Sequence, residues 1–147
     1  MTGADEDAIT DTILIRASVE RVRAYFTDPE LLTAWLGQRA VLEPAAGGRF
    51  AVDVGAAQIR GEYVEVAPDR VVFTWGMAGS AELPPGSSTV EVTFAQTGEG
   101  TRVTLVHTGL AGEQARRHRA GWPEFLRLLG HLLDPRTHPA PGAPPAC

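Results

Sequence analysis

The hydrophobic period of this chain changes several times. Residues 8–17, "AITDTILIRA", alternate with Ile9, Ile13 and Ile15 on one side, which predicts a strand. Leu14 interrupts the polar side, so both faces of that strand are candidates for cover. Ser18 then offers an N-cap and Glu20 a first-turn carboxylate, with Val19, Val22 and Phe26 following at helical spacing. "TDPELLTAWLG" (27–37) starts again. Asp28 can cap, Pro29 suits the first helical position, Glu30 complements the dipole and Gly37 closes the helix as its C′ residue. Two short helices, back to back, are expected.

After them the period becomes two. "GGRFAVDV" puts Phe50, Val52 and Val54 on one face. "IRGEYVEVAP" reads as a strand whose inward face is unassigned, because Tyr63 and Val64 are both apolar. "RVVFTW" groups Val71, Phe73 and Trp75, "STVEVTFAQ" groups Val90, Val92 and Phe94, and "TRVTLVHT" groups Val103, Leu105 and His107. "APDR" (67–70) and "TGEGT" (97–101) read as hairpin connections, and "GSAELPPGS" (79–87) as a longer turn-rich loop. Strands joined by short turns pair antiparallel, so the middle of the chain is a meander.

The last element runs from about Ala111 to Leu133. Trp122, Phe125, Leu126, Leu129, Leu132 and Leu133 share one side, the only stripe long enough to cover a sheet. Pro123 deprives the carbonyl of Arg119 of its helical partner, and Gly121 stands two residues before it. A kink near residues 119–122 is expected; the alternative is a full break, with Pro123 opening a fresh helix. Strand, two short helices, meander and long helix make an α+β fold with the helix lying against one sheet. A curved sheet and a long helix touch at their ends. The space between would be lined by Phe50, Phe73, Trp75, Phe94, Phe125 and Leu126, and composition does not separate a cavity there from a packed core.

At 147 residues, 44% of them hydrophobic, the chain has the size and core of one domain. Its expected limits are 8–133, after a flexible N-terminus (1–7) and before a disordered Pro-rich tail (134–147) with five prolines. The net charge of −5 argues against a nucleic-acid or anionic-membrane partner. All 13 basic residues are Arg, which reads as a bias of base composition. Cys147 is the single cysteine, so no intrachain disulfide is possible. With no secretory h-region and no apolar run of about 20 residues, the expectation is a cytoplasmic protein without membrane insertion.

Candidate chemistry is sparse. His107 is directed by strand alternation the same way as Val103 and Leu105. It is therefore either a polar anchor or acid/base in a cavity, or a structural histidine hydrogen-bonded to the start of the long helix. Arg39, Arg49, Glu62 and Tyr63 could place polar groups at a cavity mouth, with surface ion pairing as the plainer account. "ARRHRAGW" (115–122) reads as a solvated helix face or an anion or partner contact. The histidines at 107, 118, 131 and 138 lack metal-ligand spacing, so no metal and no cofactor are expected. "GGRF" lacks the context of a phosphate loop, and Ser87 and Ser88 lie in a turn with no base nearby in sequence.

Six segments occur in an order that resembles a known family: "FTDPELLTAWLG", "GGRF", "GEYVEVAPDRVVFTW", "STVEVTF", "TRVTLVHTGL" and "HRAGW". Together they resemble the bacterial SRPBCC superfamily, in the branch named after the activator of the heat-shock-protein-90 chaperone ATPase. The resemblance spans roughly residues 8–133. It implies the helix-grip (START-like) fold: a curved seven-stranded antiparallel sheet wrapped around a long C-terminal helix, with two short helices between the first two strands. It also implies an internal hydrophobic cavity, which favours the hollow reading over the filled one. Pro123 departs from the relatives, which usually carry a helix-forming residue there.

On this resemblance the expected ligand-lining residues are Trp35, Phe50, Tyr63, Phe73, Trp75, Phe94, His107, Trp122, Phe125 and Leu126. The expected function is binding of a small apolar or aromatic molecule. A polyketide cyclase or dehydratase with His107 as acid/base is the alternative, and a chaperone ATPase cofactor a further one. A homodimer is compatible with the superfamily.

Overall fold

A computed structural model describes residues 8–134. The expected flexible N-terminus and the tail from residue 135 onward lie outside the described residues. Asp134, which the sequence groups with the tail, is buried and donates its backbone N–H to the carbonyl of Gly130.

The element order is β1 (Ile9–Ile15), α1 (Val19–Thr27), α2 (Pro29–Leu32), β2 (Arg39–Leu42), β3 (Arg49–Val54), β4 (Ala57–Ala67), β5 (Arg70–Trp75), β6 (Ser88–Thr97), β7 (Gly100–Thr108) and α3 (Gly112–Leu133). The strands form one seven-stranded antiparallel sheet in the order β1-β7-β6-β5-β4-β3-β2. Only β1 is out of sequence; it closes against β7, pairing Ile9 with His107 and Ile15 with Thr101. This is the helix-grip arrangement.

Local chemistry explains most boundaries. Ser18 accepts from the backbone N–H of Arg21, and Asp28 from those of Glu30 and Leu31, so each short helix has the cap its sequence offers. The second helix is shorter than expected. It stops at Leu32, and Thr33–Leu36 continue as turns that carry Trp35 and Leu36 into the core. Gly37 is therefore not a helix C′ residue. It turns the chain into β2 at φ +81°, where a Cβ would stand 2.4 Å from the carbonyl oxygen of Asp53.

The inward face left open on β4 is settled by a register shift between Tyr63 and Glu65. Tyr63 is buried and Val64 exposed. β2 is the strand that period-two patterning does not reveal.

The long helix is continuous from Gly112 to Leu133 with Pro123 in its interior, so it does not break and restart there. Trp122, Leu126, Leu129 and Leu133 are buried, but Leu132 is 42% exposed and does not belong to the packed face. The helix packs tightly on β1 at Gly130, where a Cβ would meet Cδ1 of Ile13 at 2.9 Å. No helix among the described residues is long and apolar enough to cross a membrane.

Rings fill much of the hollow of the sheet. Phe50 on β3 stacks on Phe73 of β5 with centroids 4.0 Å apart, and Tyr63 meets both edge-on. Phe26 packs edge-on against Trp35 and Phe94, bringing α1 onto β6. Two buried donors lock the short helices in place: Tyr63 Oη donates to the carbonyl of Phe26 at 2.9 Å, and Trp35 Nε1 to that of Tyr25 at 3.0 Å. Interdigitated aromatics of this kind leave room where the turn after α2 meets the first half of α3.

Candidate functional site

That room is a cleft of about 190 Å³ between α3 and the strands β3 to β5. The sheet contributes Val54, Ala57, Ile59 and Trp75, with Met77 just beyond β5 and Leu36 from the turn after α2. The helix contributes Gln114, Arg117, His118, Gly121, Trp122 and Phe125. Those six positions follow the i, i+3, i+4, i+7 rhythm of a single helix face. Val54, Ala57, Met77, Gly121 and Phe125 are half-buried, so the cleft opens to solvent at its rim.

Gly121 shapes it directly. Its φ is not in the left-handed region, and a Cβ placed on it would have only the ring of Phe125, at 4.0 Å, for company. A glycine in a helix interior costs about 0.5–1 kcal/mol relative to Ala. Neither backbone conformation nor close packing asks for that sacrifice here. What the missing side chain leaves is cleft volume.

Behind the cleft lies a polar relay. Indole N–H groups only donate, so each imidazole nitrogen facing one must accept. Trp122 Nε1 donates to His107 Nδ1 at 3.0 Å, which places the His107 proton on Nε2. Nε2 then donates to Ser88 Oγ at 2.9 Å, and Ser88 Oγ to the carbonyl of Trp75 at 2.7 Å. A second link runs alongside: Trp75 Nε1 donates to His118 Nε2 at 3.1 Å, and His118 Nδ1 to the carbonyl of Gln114 at 2.8 Å. The four rings pack together, with Trp75 and Trp122 at 5.2 Å and His107 and His118 at 5.2 Å.

Both imidazoles are neutral at neutral pH. Burial, with a smaller contribution from His118, pushes the pKa of His107 down to about 3. Burial also lowers that of His118, against the raising effect of its bond to the Gln114 carbonyl. His107 is thus tied to the long helix, but at its middle rather than its start. Ser88, which has no base near it in sequence, does meet an imidazole in space.

Of the ten residues expected to line a ligand site, Trp75, Trp122 and Phe125 border the cleft. Trp35, Phe50, Tyr63, Phe73, Phe94, His107 and Leu126 lie in the core around it, all buried. Arg39, Arg49 and Glu62 are exposed and away from it. The lining residues that the sequence does not assign to a ligand site are Leu36, Val54, Ala57, Ile59, Met77, Gln114, Arg117, His118 and Gly121, of which Arg117, His118 and Gly121 lie in the segment read as a solvated face or an anion or partner contact. The helix period starting from Trp122 would have found the last four. Among the described residues, no group of three or more His, Cys, Asp or Glu is placed to hold a metal ion.

No curated protein matches the chain. Among solved structures, the AHSA1-like protein of Rhizobium etli is 34% identical, with a TM-score of 0.69 over 95% of this chain and 90% of that one. A protein of Mesorhizobium loti is 26% identical, with a TM-score of 0.77 over 87% of this chain and 97% of that one. The Aha1 dimer of Colwellia psychrerythraea, 15% identical, shares the fold with a TM-score of 0.77 over 86% of this chain and 96% of that one. The family described as activator of Hsp90 ATPase homolog 1-like protein matches residues 16–134. The chain belongs to that family, within the SRPBCC fold.

Proposed function

We propose that the protein binds a small aromatic or apolar molecule in the cleft between α3 and strands β3 to β5. The observation that carries this reading is the conjunction of apolar walls with Gly121, a helix-interior glycine whose absent side chain serves only the space beside it. The nitrogen atoms of the neighbouring rings are already satisfied by one another, so the walls present apolar faces at little polar cost. A cavity of about 150 Å³ holds a benzene molecule. A cleft of about 190 Å³ therefore suits one or two fused rings.

Binding is favoured over catalysis by the state of His107. Both of its nitrogens are engaged, it is fully buried, and it does not border the cleft. A polyketide-sized substrate also exceeds the volume available. The cytoplasm is the expected compartment. Pairing of two copies belongs to the same proposal, prompted by the dimeric Colwellia relative, and sedimentation equilibrium tests it.

The test of the site is a titration with indole followed by amide chemical shifts. Saturable shifts at Val54, Met77 and Gly121 that vanish in a folded Gly121→Leu variant are expected. No saturable shift, or undiminished binding by that variant, would overturn the proposal.

A further inference from the structure

The cleft has one polar end, formed by the first turns of α3. Gln114 borders it and is only 8% exposed, yet among the described residues its carboxamide makes no hydrogen bond. Its polar atoms are not sealed off from solvent, so a molecule in the cleft can reach them. Three residues on, one turn along the same face, stands Arg117. Its guanidinium reaches Glu113 through Nε at 3.4 Å, while Glu113 holds Arg116 more closely. No ion pair among the described residues engages the terminal nitrogens of Arg117.

The other polar groups nearby are used up. His118 accepts from Trp75 and donates to the Gln114 carbonyl, so neither ring offers the cleft a donor. What remains is the amide of Gln114 and the two terminal amino groups of Arg117. The Arg117 amino groups and Gln114 Nε2 donate, while Gln114 Oε1 accepts, so donors outnumber the one acceptor at this end.

We infer that the cleft takes an aromatic carboxylate, with its ring against Trp75, Trp122 and Phe125 and its carboxylate held by Gln114 and Arg117. This rests on the proposal that the cleft is a binding site and adds the chemical class of its occupant. An arginine fork matches a carboxylate in two parallel bonds, and a neighbouring amide donor supplies a third. Gln114 lies in the first turn of a 22-residue helix, where the macrodipole favours an anion, and Arg117 in the turn after it. Ala111, at the N-cap, provides no side-chain acceptor that would compete for that field. Release of Arg117 from Glu113 is cheap, because exposed ion pairs contribute at most about 1 kcal/mol. In a chain of net charge −5, this helix end gathers Arg116, Arg117 and Arg119 against a single Glu113.

The experiment compares 1-naphthoate with its neutral isostere 1-naphthalenemethanol by isothermal titration calorimetry. The acid is expected to bind about tenfold or more tightly, in line with charge-assisted bonds replacing neutral ones. Gln114→Leu and Arg117→Gln should each bring the acid's affinity down toward that of the alcohol while leaving the alcohol's nearly unchanged. Gly121→Leu should abolish both. Equal affinity for acid and alcohol would overturn the carboxylate assignment and leave the cleft reading standing. Binding of neither compound would overturn the cleft reading itself. The melting temperature of each variant separates loss of binding from loss of fold.

Discussion

Trp122 donates its indole N–H to Nδ1 of His107 across 3.0 Å, and this one bond sets the direction of every proton beyond it. In a nucleophilic pair the imidazole accepts the serine proton at Nε2 while an acidic partner holds Nδ1–H. Here the order is reversed: Nε2 gives its proton to Ser88, and Ser88 gives its own to the carbonyl of Trp75. The arrangement resembles a nucleophile and its base in distance alone. It stitches β5, β6, β7 and α3 together through their buried faces.

The first prediction concerns pH. In the unfolded chain the His107 imidazole takes up a proton near its ordinary value of 6.5, whereas the folded protein refuses it until about 3. The unfolded state therefore binds more protons between those limits, so stability is complete above about pH 6.5 and declines as pH falls. One such group removes about 1.4 kcal/mol per pH unit within the window. That corresponds to roughly 3–6 °C in Tm for a domain of this size. His118, shifted the same way by burial, adds to the decline. Thermal unfolding between pH 7.5 and 4.5 should show a shallower fall for His107→Gln than for the native sequence; parallel curves would refute this account.

Ser88→Ala leaves the Nε2–H of His107 and the carbonyl of Trp75 without their shared partner in a buried setting. A loss of about 1–3 kcal/mol in urea denaturation is expected. Nitrogen-15 shifts of the His107 ring provide a separate check. They should report a neutral imidazole protonated at Nε2, and a proton on Nδ1 would contradict the relay.

Two glycines should respond to alanine with opposite signs. Gly121→Ala gains helix propensity and meets nothing closer than Phe125 at 4.0 Å, so stability should rise by about 0.5–1 kcal/mol. Gly37→Ala forces a side chain into a left-handed backbone and within 2.4 Å of the Asp53 carbonyl, so stability should fall by about 2 kcal/mol or more. Chemical denaturation of both variants reads the difference.

Pro123→Ala returns a donor to the carbonyl of Arg119 inside a helix that already runs through this position. Because Pro is about 3 kcal/mol worse than Ala in a helix interior, a gain of about 1–3 kcal/mol is expected after the packing loss. An unchanged or lowered melting temperature would mean that the ring of Pro123 contributes more by contact than it removes by hydrogen bonding.

The sheet and the long helix were readable from the sequence because their periods are long and clean. β2 was not, because Ala40, Val41 and Leu42 are all apolar and show no alternation, although Val41 is exposed. The end of α2 is not legible because Trp35 and Leu36 keep helical spacing while the chain has already turned inward. The cleft was only half legible. Apolar spacing points to Trp122 and Phe125, while Arg117 lies in a segment that reads as a solvated face or an anion or partner contact, and nothing in the sequence singles out Gln114. Phe50, Phe73 and Phe94 looked like cavity walls because nothing in a sequence says that rings from separate strands and helices will close on one another.

The relay from Trp122 to Trp75 also gives the molecule an order in time. Its members come from three strands and from the final helix, so during synthesis the Nδ1 of His107 waits for an indole that emerges among the last residues of the domain. A nascent chain that ends before Trp122 leaves that nitrogen on β7 to water, so the dry packing of this part of the sheet awaits the last helix.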